Sequence, residues 1–327
     1  MFSHIEYEKK DLVPLVTVIT TTYKNFKGIN ETFSSVLSQD YPRIEYIISD
    51  DGSENFDKKV IESAVLQYKG DNLEKYQIIH HEHNLGTVKN INYASRKANG
   101  DYIIGLGLDD FFASNSTISL IIERMQKINC NLLAYSRIQC SPEGERIRRM
   151  PSPYFYSILK KMNTPQKQYR ALVTGLYYEM ASGSSICSKK TLLEEMDYYD
   201  EKYKYWEDGP YLAKYNLKGN IIHTAYDIDG IIYKLGGISS IKSKVSSKAI
   251  EGLKYDAYLF YKTELERNSI WLTFLDKRKL KYTLQRNRND KKIKKYILML
   301  LYMDVVLSRI IMKFRFKQAI KKKDIIY

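Results

Sequence analysis

Apolar and polar positions alternate along the chain between short β-branched runs and longer stretches of helical spacing. Residues 15–22, LVTVITTT, form the first run and have strand character. Ile29, Phe33, Val36 and Leu37 follow at helical spacing, and Pro42 ends that unit. A second apolar run, Tyr46 to Ile48 within EYIISDDGSEN, breaks into Asp50, Asp51, Gly52 and Ser53. Helical residues around 57–68 lead to a third strand near Tyr76–His80. NLGTVKN then opens a helix that Asn99 and Gly100 terminate. A fourth strand lies in GDYIIGLGLDDFF, Gly100 to Phe112, and runs into the adjacent carboxylates Asp109 and Asp110. This alternation with short connections predicts an α/β fold with a doubly wound, mostly parallel sheet flanked by helices. Ligands of such sheets bind beyond the carboxyl ends of the strands. Those ends carry Thr20–Tyr23, Asp50–Ser53 and Asp109–Asp110, so three polar clusters converge on one edge.

Beyond Asp110 the pattern loosens. Residues 116–128 read as an amphipathic helix and Leu132–Gln139 as a strand, while 150–178 show no clear period. MASGSSICSKK predicts a strand running into a turn, with a helix from about Lys190. Trp206, Glu207 and Asp208 stand just before another helix, with Pro210 in its first turn. Strands are expected near 220–224 and 228–233, followed by a glycine-rich loop, and the chain reads as helical from about Ser246 onward. There is no internal repeat.

Charge divides the chain. From Lys242 to Tyr327 there are 23 Lys and Arg against 8 Asp and Glu, whereas the first 241 residues hold 29 against 30. Residues 290–323 combine a near-apolar run, interrupted by Asp304, with basic clusters on both sides. That character fits a helix lying in a membrane interface on anionic lipid. A helix packed on the rest of the protein, its lysines merely solvated, is the plainer alternative. Nucleic-acid recognition patterns are absent, so no nucleic acid is expected. The opening MFSHIEYEKKD carries no apolar segment, which predicts no signal peptide, and no run is long enough for an ordinary transmembrane helix. Cys130, Cys140 and Cys187 have neither zinc nor disulfide spacing and read as reduced core thiols of a cytosolic protein.

Two adjacent carboxylates at a strand end are costly unless a positive charge sits there. A hard divalent cation such as Mg²⁺ or Mn²⁺ meets that need with oxygen ligands; an ordinary acidic turn is the alternative. His80, His81 and His83 look like a metal cluster, yet adjacent strand residues point to opposite faces. Gly105 and Gly107 spell G-x-G without the rest of a dinucleotide fingerprint.

VTVITTTYKN, YIISDDGS, NLGTVKN and GDYIIGLGLDD, in this order, resemble the nucleotide-sugar half of a family 2 glycosyltransferase with a GT-A fold. SGSSICSKK, YWEDGPYLAKYNLKG and YKLGGIS extend the resemblance through about residue 241. The resemblance implies a catalytic domain over 1–241, with a nucleotide-sugar half (14–112) and an acceptor half (113–241), and then a helical basic region over 242–327. By the same resemblance Thr21, Tyr23, Asp51, Lys89 and Asp109 would bind the nucleotide-sugar. Tyr23 would stack on the base, and Asp51 would accept the N3–H of uracil; Asp50 would be structural. Asp110 and Asp109 would hold Mn²⁺ or Mg²⁺, although Gly107 stands where most members carry a first acid. Asp208 would be the catalytic base of an inverting transfer, with Trp206 and Glu207 lining the acceptor side. YKLGGIS lacks the histidine of many members, which leaves Lys234 or the Gly236–Ser240 backbone to meet the phosphates. The implied activity is sugar transfer from a nucleotide-sugar, expected to be a UDP-sugar, onto a hydroxyl of a lipid-linked glycan in surface polysaccharide synthesis. The protein would sit peripherally at the cytoplasmic face of the cell membrane. Transfer to polyprenyl phosphate is a second reading; a third is a non-catalytic protein that binds membrane or nucleic acid through its basic end.

Overall fold

Val16–Thr22 forms β1, and its β-branched side chains stand on both faces of a central strand, as a parallel sheet buried on both sides requires. The structure, a computed structural model, describes residues 13–141, 143–235, 247–288 and 292–321. Strands β2 (Ile44–Asp50), β3 (Leu73–His80) and β4 (Tyr102–Gly107) join β1 in the parallel order β3-β2-β1-β4. The register sets Thr21 between Ser49 and Gly107, so the three polar strand ends lie side by side. Helices Ile29–Leu37, Lys58–Tyr68 and Thr87–Lys97 supply the crossovers. In the first, Ile29, Phe33, Val36 and Leu37 are buried, as their spacing predicts, and the Phe33 ring meets Tyr46 edge-on at 5.3 Å. The Asp57 carboxylate caps the second by accepting Lys59 N–H and Val60 N–H.

Past β4 the sheet becomes mixed. The short β5 (Phe111–Phe112) follows the Asp109–Asp110 turn; β6 (Leu132–Cys140), β7 (Arg146–Met150), β8 (Ile186–Lys189) and β9 (His223–Lys234) complete the sheet. The order is β3-β2-β1-β4-β8-β6-β9-β5, with β7 on β6. Strand β8 lies antiparallel between β4 and β6. Two expectations are corrected here. In MASGSSICSKK the turn, Gly183–Ser185, comes before the strand rather than after it. The two short strands expected near 220–224 and 228–233 are one strand, β9, whose pairing to β6 shifts register around Ser136. Those shifts break the apolar alternation and make one strand read as two.

Two compact units result. One holds residues 1–150, 181–208 and 223–245, with the whole described sheet and every candidate site residue. The other holds 151–180, 209–222 and 246–327, and so takes in two middle segments as well as the basic end. In this second unit residues 150–178, unassigned from sequence, form helices Pro153–Leu159 and Pro165–Ala171 and a widened turn that kinks at Gly175. Helices Ser247–Arg267, Phe274–Arg288, Lys292–Leu301 and Met303–Lys321 follow. Cys130, Cys140 and Cys187 are free and buried.

Candidate active site

The end of β1 leads into the loop 23–28, and this loop cradles Asp109. Asn25 Nδ2 donates to Asp109 Oδ2, and Asp109 N–H donates to the Thr32 hydroxyl at 3.2 Å. Asp109 has φ +89°, a conformation that costs a non-glycine residue energy and persists only where its surroundings impose it. Gly28 permits it: a Cβ there would stand 2.8 Å from Asp109 Cα and 2.9 Å from its backbone nitrogen. Burial raises the Asp109 carboxyl above the usual carboxylate range, against the Asn25 bond and the charges of Lys234 and Lys27.

Asp110 is buried beside it. Burial pushes its carboxyl up to about 8, while the Arg137 charge, the Ser184 hydroxyl and the Lys234 N–H pull it down and Asp109 pushes it further up. Gly107, where a first acid was expected, points at the same group: a Cβ there would lie 3.5 Å from Asp110 Oδ2. Among the described residues no group of three or more His, Cys, Asp or Glu forms a metal cluster. Two adjacent carboxylates still fit a hard divalent cation that takes its remaining oxygens from a bound diphosphate. The buried, partly neutralised Asp110 is the kind of group that such a cation would ionise.

Ser182–Ser185 ties this acidic end to Asp208. The Ser184 hydroxyl helps to lower the Asp110 carboxyl, and the neighbouring Gly183 N–H donates to Asp208 Oδ2 at 2.6 Å. The turn is itself fixed, since Ser182 N–H donates to Ser185 Oγ at 2.8 Å and the Tyr135 hydroxyl donates to Ser184 O at 3.2 Å. Asp208 is buried at the first turn of helix Asp208–Leu217, while Trp206 and Glu207 are half-buried just before it. Glu207 also reaches the turn: a Cβ on Gly183 would meet its Oε1 at 2.6 Å.

On the other side of β1, Asp51 is buried and acts on the loop 84–86. Its carboxylate accepts Leu85 N–H at 2.7 Å, Gly86 N–H at 3.0 Å and Asn84 Nδ2 at 2.7 Å. That loop abuts Lys204, whose carbonyl accepts Val88 N–H at 3.2 Å. Asp51 thereby helps to seat the segment that leads into Trp206–Asp208. Asp50 is fully buried and structural, with its oxygens on Ser53 N–H, the Ser53 hydroxyl and His80 Nδ1. Thr21 is half-buried and its carbonyl accepts Leu108 N–H, whereas Tyr23 is exposed with Lys24 Nζ 5.3 Å from its ring centre. Lys89 is exposed, and its charge helps to lower the Glu201 carboxyl behind the bond from Asn92. Lys234 sits by the site at 3.5 Å from Glu31, while Gly236–Ser240 lie outside the described residues. His80 stacks on Phe56 and His81 meets Tyr93 edge-on, so the two rings diverge into different surroundings.

Sequence reasoning missed Asn25, Gly28, Gly183, Ser184 and Arg137. For Arg137 one signal existed, a charge inside the otherwise buried run LLAYSRIQC. The others are small or neutral residues whose roles arise from contacts distant in sequence.

The sequence profile described as Glycosyl transferase family 2 matches residues 17–183. Over 231 residues the chain is 26% identical to an uncharacterized glycosyltransferase of Haemophilus influenzae, covering 65% of this chain and 69% of that protein. It is 35% identical over 97 residues to the putative teichuronic acid biosynthesis glycosyltransferase TuaG of Bacillus subtilis, covering 30% of this chain and 36% of TuaG. Among solved structures, S. aureus TarS 1–349 in complex with UDP-GlcNAc superposes with a TM-score of 0.58 at 18% identity, covering 89% of this chain and 81% of that one. The mannosyltransferase PcManGT of Pyrobaculum calidifontis, in complex with GDP-Man and Mn²⁺, gives 0.57 at 14% identity, covering 98% and 89%. The chain spans 44% of a longer TarS chain. These likenesses are of fold, and the sheet and its helices are GT-A-like.

Proposed function

Because the chain belongs to glycosyl transferase family 2, whose profile covers just over half of it, we propose that it moves a sugar from a UDP-sugar to a glycan hydroxyl with inversion. The observation that carries this reading is the turn Ser182–Ser185, whose Gly183 N–H donates to Asp208 at 2.6 Å and whose Ser184 hydroxyl helps to lower the Asp110 carboxyl. One turn thus holds a buried carboxylate suited to a base and borders an acidic strand end suited to a cation-bound diphosphate. Two structurally similar proteins are described with UDP-GlcNAc and with GDP-Man and Mn²⁺, which supports a nucleotide-sugar donor and a divalent cation.

Asp109 and Asp110 would hold Mn²⁺ or Mg²⁺, which neutralises the departing diphosphate. Thr21 and Tyr23 face the nucleoside from the end of β1, with the exposed Tyr23 ring as a stacking surface. Asp51 uses three of about four acceptor positions of a carboxylate, so one further donor, the uracil N3–H, fits. Lys89 supplies positive charge near the phosphates from the following helix. Asp208 takes the proton of the acceptor hydroxyl while that oxygen bonds the anomeric carbon and the bond to phosphate breaks on the opposite side. Trp206 and Glu207 line the acceptor. The TuaG likeness supports a surface-polysaccharide acceptor, which we take to be lipid-linked and met at the cytoplasmic face of the membrane, where the protein is peripheral.

The test is Asp208→Asn. It should leave UDP-sugar affinity in place while turnover falls by roughly 10²–10⁴-fold, the usual worth of a general base. Unchanged turnover on a hydroxyl acceptor removes Asp208 as the base. Activity confined to polyprenyl phosphate, already ionised and in no need of a base, would favour that acceptor instead.

A further inference from the structure

Among the described residues, the helices at the basic end bury one face and leave another exposed. Leu298 and Val305 are buried against Tyr282, with Tyr302 and Val306 packed beside them. Opposite Val305, helix Met303–Lys321 turns Met303, Leu307, Ile310, Ile311 and Phe314 outward, each half or more exposed. Their spacing of four, three, one and three residues places them in a single stripe along the helix. The preceding helix Lys292–Leu301 adds Tyr296, Ile297, Leu300 and Leu301, likewise half or more exposed. Helix geometry sets Lys313 and Lys317 along one border of the stripe and Arg315 along the other. Described residues 292–321 contain one acid, Asp304. Arg278 engages it with both ends of its guanidinium, at 2.7 and 2.8 Å, and also donates to the Leu301 carbonyl. The charge that would oppose an anionic surface is therefore paired within the unit.

We infer that this stripe is a docking face for a bilayer surface bearing anionic headgroups. Its apolar side chains enter the acyl boundary, and the bordering Lys and Arg reach outward to lipid phosphates. A basic border on an apolar stripe matches such a surface on both counts, whereas a second copy of the same face would bring like charges together. No described helix is long and apolar enough to cross a membrane. The inference gives the peripheral placement proposed above a specific surface, and it does not depend on which sugar is moved.

The experiment uses the full chain in co-sedimentation with phosphatidylcholine vesicles, with and without phosphatidylglycerol. Binding should need the anionic lipid and weaken with salt. Leu307→Gln with Ile311→Gln should reduce the bound fraction by roughly tenfold or more, since two buried apolar side chains are withdrawn. Lys313→Glu with Lys317→Glu should do the same on anionic vesicles, at about a kcal/mol per basic residue, or roughly fivefold each. Phe274→Ser, exposed on another helix, should change nothing. All variants should keep the thermal shift given by UDP with Mn²⁺; loss of vesicle binding with that shift intact separates this face from the transferase reading. Equal binding to neutral vesicles, or retention by both double variants, overturns the inference. Self-association that the Leu307→Gln with Ile311→Gln variant abolishes, without vesicle binding, would assign the stripe to a second copy instead.

Discussion

Asp110 lies where burial and charge oppose one another, and its proton is therefore a usable reporter. Its carboxyl titrates at about 8 in the folded chain, against about 4 when unfolded. Between those values the folded chain keeps a proton that the unfolded chain releases. The stability this group contributes is present below about pH 4 and is lost as the pH rises through about 8. A cation competes for the same oxygens, so Mn²⁺ affinity should rise by up to about tenfold per pH unit from 6 to 8 and then level off. Calorimetric titration at pH 6, 7, 8 and 9 checks this. Asp110→Asn should remove the dependence, and a flat wild-type profile would take Asp110 out of the cation site. Two glycines probe the same region from opposite sides. Gly28→Ala drives a Cβ into the Asp109 backbone, which cannot move aside cheaply, so the Mn²⁺-dependent shift with UDP should disappear. Gly183→Ala presses on the flexible end of Glu207 at 2.6 Å and leaves Asp208 Oδ2 at an ordinary 3.8 Å. It should leave that shift and the melting temperature near wild type. Turnover should nevertheless fall by roughly tenfold or more, as expected when Glu207, proposed to line the acceptor, is displaced by a fraction of an ångström.

Glu45 shows how elements are pinned beneath the site. It is almost fully buried at the start of β2, accepting the Thr17 hydroxyl from β1 and both Asn99 N–H and Asn99 Nδ2 ahead of β4, each at 2.6 Å. Glu45→Ala should cost about 3 kcal/mol, because three donors lose their carboxylate acceptor and all three bonds tie β2 to other segments. Denaturant unfolding measures it; a loss below about 1 kcal/mol would mean that water replaces the carboxylate. Strands β1 to β4 and their helices were legible because their periods are local: VTVITTT needs no distant partner to read as a strand. Strand β8 was legible only as a strand somewhere in MASGSSICSKK, its place after the turn being missed, since Ile186–Lys189 is four residues long and owes its bounds to pairing with β4 and β6. The site divides along the same line. Asp109 and Asp110 stand out because paired acids at a strand end demand an explanation, whereas Asp208, an ordinary acid for a helix start, stands out only through the family resemblance. Ser184 and Gly183 act through a hydroxyl and a backbone N–H, which leave little trace in composition. Asp51 lies between these cases, since its position was legible but its three bonds to the loop 84–86 were not.

Across the molecule, charge and chemistry are segregated. The first 241 residues are almost neutral and end their central strands in carboxylates, while residues 242–327 carry 23 basic against 8 acidic groups. A polyanion therefore meets attraction at the basic helices and repulsion at Asp109 and Asp110. Under the proposed function a diphosphate escapes that repulsion because a divalent cation accompanies it. DNA or RNA has no such route, and its contact with the basic helices would be of the delocalised kind that salt dissolves. Anisotropy titration with a short duplex should show binding that falls by tenfold or more between about 50 and 200 mM salt. The UDP and Mn²⁺ thermal shift should stay within about a degree over the same range, because buried groups are screened far less than exposed ones. Tight duplex binding that survives at 200 mM salt would give the basic end a nucleic-acid role and count against a lipid surface as its partner.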